Sequence, residues 1–151
     1  MEQFTKLVVE LSKKIPDFNS RAVLFALIAG WVTGVVWYMI VGRIWKSVAH
    51  QGEGGAMTPR AQILSAIAQV IMTIMLAIAM QRLAENTVRG GLQTAFGAWF
   101  GFIAPSMVVS YSNLKARFRL TIIDCLHWLW VMLVMGAIIG ALSDAPIPPK
   151  Q

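Results

Sequence analysis

Apolar residues in this chain gather into four long runs, and none of the runs alternates with polar residues at a period of two. The runs cover about 22–42, 60–81, 91–112 and 120–142, the last interrupted by Asp124. A helix needs about 20 apolar residues to cross a hydrocarbon core of ~30 Å, and each run is that long. Backbone groups in lipid must be satisfied internally, which leaves helices or closed barrels. Barrel strands need period-two alternation. The pattern therefore predicts four transmembrane helices in one bundle over 22–143. Short links make neighbours antiparallel.

The first 21 residues behave differently. Phe4, Leu7, Val8, Leu11 and Ile15 recur at helical spacing, with Glu2, Lys6, Glu10, Lys13 and Lys14 mostly on the other face. This segment predicts an amphipathic helix ended by Pro16, too short and too charged to span, lying in the headgroup plane. The run after it ends in "WYMIVGR" without a small-residue cleavage pattern, so the first span is expected to be retained. Thr58 and Pro59 form an N-cap and first-turn pair for the second span. Residues 144–151, "DAPIPPKQ", read as an extended tail. The fold class is all-α: a membrane four-helix bundle preceded by an interfacial helix.

Composition agrees. Hydrophobic residues make up 57% and charged residues 13% of the 151, against about 45–50% and 25% in soluble domains. The net charge of +6 is spread over short segments between the runs and not along one stripe. That pattern suits lipid headgroups and argues against nucleic acid. Lys6, Lys13, Lys14, Arg21, Arg82, Arg89 and Lys150 fall on one side of the membrane. Arg43, Lys46, Arg60, Lys115, Arg117 and Arg119 fall on the other, so the positive-inside count is seven against six. Leaving out the interfacial helix places the second side in the cytoplasm.

Small residues form helix-packing ladders: Ala22, Ala26, Gly30 and Gly34; Gly97 and Gly101; Gly136 and Gly140. In lipid such steps let backbones approach closely, within one chain or between chains. Pro105 predicts a bend in the third span. Cys125 is the only cysteine, which excludes an intrachain disulfide and reads as a packing residue.

Polar chemistry collects at one end of the bundle. Asp124 and His127 share a face of the fourth helix at i and i+3. Trp37, Tyr38, Arg43 and Trp45 end the first span there, Gln62 and Gln69 begin the second, and Tyr111 and Asn113 end the third. The candidate polar site is Trp37, Tyr38, Arg43, Gln62, Asn113, Asp124 and His127. One account is an aromatic belt with Asp124 paired to Arg117, Arg119 or His127; the other is a headgroup or small-solute pocket. No glycine-rich phosphate loop, Cys/His metal spacing or nucleophile–base arrangement occurs, so no enzyme and no cofactor or metal is expected.

"GVVWYMIVGRIWK" (34–46), "GAWFGF" (97–102), "SNLKARF" (112–118) and "IIDCLHWLWVMLVMGAIIGAL" (122–142) resemble the small four-span bacterial membrane proteins of the domain-of-unknown-function family numbered 1761. Gly34, Trp37, Tyr38, Gly42, Trp45, Gly97, Trp99, Gly101, Asn113, Phe118, Asp124 and Gly140 fall on that pattern. The resemblance covers about Val23 to Leu142 and implies a fold without implying an activity; the amphipathic extension departs from it. The expected role is a non-catalytic accessory or scaffolding subunit in the bacterial inner (cytoplasmic) membrane, surrounded by lipid and packed in a homo-oligomer or larger membrane complex. The alternative is a small-solute, ion or lipid-handling protein using Asp124 and His127.

Overall fold

The computed structural model describes residues 19–48 and 59–143. The expected interfacial helix, the Thr58 cap and the tail lie outside these residues. Among the described residues four helices run up and down: α1 (Ser20–Val48), α2 (Pro59–Arg82), α3 (Val88–Asn113) and α4 (Phe118–Ala141). All four are long and apolar enough to cross a membrane. Leu24, Ile28, Val32, Val36, Met39 and Ile40 of α1 stay exposed on the outside of the bundle. Lipid covers such a surface without cost, whereas water does not. The chain is a multi-pass membrane protein.

Local chemistry sets the helix ends. Asn19 caps α1, its Oδ1 accepting from the backbone N–H groups of Arg21 and Ala22. Its Nδ2 donates to the Leu142 carbonyl at 2.8 Å and so ties the start of α1 to the end of α4. Thr87 caps α3, accepting from Gly90 N–H at 3.0 Å. The 83–87 and 114–117 links both open with the same device. Glu85 N–H reaches back to the Met80 carbonyl and Ala84 N–H to that of Gln81; Ala116 and Lys115 repeat this with Tyr111 and Ser112. These Schellman closures need one left-handed residue each. Ala84 (φ 57°) and Lys115 (φ 52°) supply it.

α1 runs six residues past the expected end at Gly42. Charge at Arg43 ends the apolar run, but Ile44, Trp45 and Lys46 continue the helix. At 29 residues it is about 43 Å long, more than a hydrocarbon core requires. α3 holds a π-turn over Trp99–Ile103, just before Pro105. The proline has no N–H for the Gly101 carbonyl, and the wider turn lets Ala104 N–H reach the Trp99 carbonyl instead. Ser106 Oγ donates to the Phe102 carbonyl at 2.6 Å. The proline is thus accommodated by one extra residue in a single turn.

α4 is the central helix, packed most extensively on α3 and α1; α2 lies against α1 more lightly. The core joins Ala26 of α1, Leu76, Ala77 and Met80 of α2, Ala95 of α3, and Val131, Met132, Met135 and Ile139 of α4. On α1, Ala22, Ala26 and Gly30 are buried, and a Cβ on Gly30 would meet Gln69 and Met135 at 2.6–3.0 Å. The α3–α4 seam is closer still. A Cβ on Gly136 would collide with the Gly91 carbonyl oxygen, and one on Gly140 with that of Thr87. Gly97 and Gly101 lie elsewhere: an added Cβ there meets nothing within 4 Å. The inward small residues of α3 are Gly90, Gly91 and Ala95, all before the expected ladder at Gly97 and Gly101.

Candidate functional site: a polar-aromatic cleft at one end of the bundle

The cleft lies where α1 and α3 end and α2 and α4 begin. Its volume is about 680 Å³. Asp124 sits on its wall, six residues into α4 and thus about 9 Å along the helix. A carboxyl so placed needs donors, and three other side chains supply them. Tyr38 Oη donates to Oδ1 at 3.2 Å, Trp45 Nε1 donates to Oδ1 at 3.0 Å, and Tyr111 Oη donates to Oδ2 at 2.7 Å. Tyr38 and Trp45 lie seven residues apart on α1, two turns on one face, with their rings edge to face at 5.8 Å. That geometry explains why α1 continues past Gly42: the overshoot carries Trp45 back over the carboxyl. Arg117, Arg119 and His127 supply none of these three bonds.

His127 is one turn deeper. Its ring packs 4.9 Å from Tyr38 and 5.1 Å from Trp128, with Trp37 at 6.4 Å. The space for it comes from Gly34, where an added Cβ would lie 3.1 Å from Nε2. His127 is only 8% exposed, yet among the described residues nothing hydrogen-bonds to its Nδ1, nor to the buried Trp37 Nε1. Gln69, from α2, is buried and donates to the Leu27 carbonyl at 3.4 Å.

The structure brings together Trp37, Tyr38, Asp124 and His127 of the expected site, with Gln62 exposed on the cleft wall. Arg43 and Asn113 are exposed and do not line the cleft. Trp45 and Tyr111, both placed at this end of the bundle by the sequence but outside the candidate set, are direct partners of Asp124. The i, i+7 spacing of Tyr38 and Trp45 was the signal that aligned the first; for Tyr111 the end of the third span gave the depth but not the direction, which depends on the π-turn. The walls also change character with depth. Lys46 and Gln62 stand toward the helix ends, Asp124 and His127 in the middle, and Trp31, Val35 and Val131 farther in.

This arrangement can hold a molecule with one polar and one apolar end. It offers little for a metal: among the described residues no three His, Cys, Asp or Glu side chains cluster. Ser106 is committed to the Phe102 carbonyl, and Trp99 Nε1 to the Cys125 carbonyl at 2.9 Å, an interhelical bond.

No curated protein matches the chain, and no solved structure does. The four apolar helices and the pattern of residues at their ends agree with one sequence family: residues 21–140 match the family described as protein of unknown function (DUF1761), and the chain belongs to it.

Proposed function

We propose that this protein is a non-catalytic membrane protein that binds an amphipathic small molecule in the cleft around Asp124 and His127. One observation carries the reading. A nearly buried carboxyl and a nearly buried imidazole, the latter with an unpartnered nitrogen, share a cleft whose far end is apolar. A buried polar atom left unbonded costs about 1–3 kcal/mol. Ionisable groups within a span are candidates for function on that ground. α2 packs sparsely on all three of its neighbours, and residues of α1 and α2 both line the cleft, which supports entry from the bilayer side beside α2. The membrane we assign is the bacterial cytoplasmic membrane, as the resemblance to small four-span bacterial proteins implies.

The test is saturable binding of dodecyl-chain amphiphiles to protein in lipid nanodiscs, read by calorimetry against empty discs. Wild type is expected to show one saturable site. Gly34→Leu fills the cleft against His127 and should remove it, while Gly97→Leu, on the open outer face, should retain it. Equal binding by both variants would refute the reading.

A second reading, an accessory subunit, has its own observation. Gly97 and Gly101 are exposed with open space around them, which suits close approach by a helix of another chain. Crosslinking from this face in native membranes tests it, and a lone bundle would count against it.

A further inference from the structure

We infer that the polar end of the amphiphile is an ammonium group, so that the cleft selects a single-tailed organic cation. This rests on the reading of the cleft as a ligand site.

The argument starts from acceptor capacity. A carboxylate offers about four acceptor positions over its two oxygens. Tyr38 and Trp45 take two on Oδ1, and Tyr111 takes one on Oδ2. One position remains, and a hydrogen-bond donor or a cation is what can use it. All three bonded partners are neutral phenol or indole groups. They orient the carboxyl group, and none of the three brings a positive charge to it.

The surroundings favour the same choice. Tyr38, Trp45, Tyr111 and Trp128 line the cleft beside Asp124. Aromatic rings attract ammonium groups, more strongly where water is excluded. An anionic head would meet the carboxylate with like charge, and a sugar head brings no charge to match it. The tail then has a path, since Trp31, Val35 and Val131 continue the wall inward.

Lys46 limits the ligand to one positive charge. It lines the cleft toward the end of α1. It lies eight residues from Tyr38, about 12 Å along the helix. A second ammonium extending toward the helix ends would meet it.

The experiment compares three amphiphiles with the same tail, dodecylammonium, dodecyl maltoside and dodecyl sulfate, on protein in nanodiscs at neutral pH. Binding of dodecylammonium at least tenfold tighter than of the other two is expected. Asp124→Asn should abolish that preference while tail-dependent binding remains. Lys46→Glu, an exposed change that leaves the Asp124 bonds intact, should tighten dodecylammonium several-fold and keeps the test alive if Asp124→Asn fails to fold. Equal binding of all three, insensitive to Lys46→Glu, would overturn the ammonium assignment and leave the amphiphile site standing. Loss of all saturable binding in wild type would overturn both.

Discussion

Gly136→Ala tests the α3–α4 seam with a single methyl group. The new Cβ would collide with the Gly91 carbonyl oxygen and lie 2.9 Å from Gly91 C and 2.9 Å from the Ala95 Cβ. Two of these atoms are backbone, so no side chain can rotate away. Ordinary contact begins near 3.4 Å, so the helices must separate by at least about 0.5 Å. Overpacking of a close-packed interior costs about 1–3 kcal/mol. A radial gap of 0.5–1 Å also forfeits a quarter to a half of each dispersion contact it opens. A loss of about 2 kcal/mol is expected, a fall of up to about 30-fold in the folding equilibrium constant. The assay is reversible unfolding in mixed micelles, with Gly97→Ala as the matched control. The control adds the same methyl where nothing lies within 4 Å and should change stability by less than about 0.5 kcal/mol. If Gly136→Ala is neutral, or if Gly97→Ala costs as much, the seam is not where the helices meet.

Tyr111→Phe deletes the shortest bond to Asp124 and should cost about 1–2 kcal/mol in the same assay, more than Tyr38→Phe, because Oδ1 keeps Trp45. Lys115→Gly should stabilise by roughly 1 kcal/mol, since a left-handed backbone costs an L-residue about 1–2 kcal/mol that glycine avoids. Single cysteines at Ala84 and Lys115, placed in a Cys125→Ala background, should react with an impermeant maleimide from opposite sides of the membrane. Labelling of both from one side would break the four-span topology.

The spans were legible because a bilayer imposes length and composition together. The α2 bounds differ from the apolar run by one residue at each end, and those of α4 by one or two. α1 continues beyond the apolar run at Gly42 because hydropathy marks where lipid ends, and a helix in water needs only residues that tolerate it. The small-residue steps on α1 and α4 proved to be interior, since Ala26, Gly30, Gly136 and Gly140 all have near neighbours. On α3 the step at Gly97 and Gly101 points outward. Spacing alone does not say which face of a helix turns inward. The same gap hid the donors of Asp124. An i, i+3 rule reaches His127 within α4, but hydrogen bonds from Tyr38, Trp45 and Tyr111 span between 13 and 86 positions of sequence. Basic neighbours looked like the natural partners, and rings from other helices arrived first.

The π-turn in α3 fixes where that third donor points. Each residue advances an α-helix by 100°, so one inserted residue swings everything beyond it by that angle. Trp99, inside the bulge, anchors its indole on the Cys125 carbonyl, and Tyr111, twelve residues on, reaches Asp124 one position away on the same neighbour. Deleting one residue from the bulge would straighten the rod and aim the phenol a quarter-turn aside. The proline that forbids a regular ladder thereby acts as a dial, setting the azimuth at which the far half of this helix greets α4.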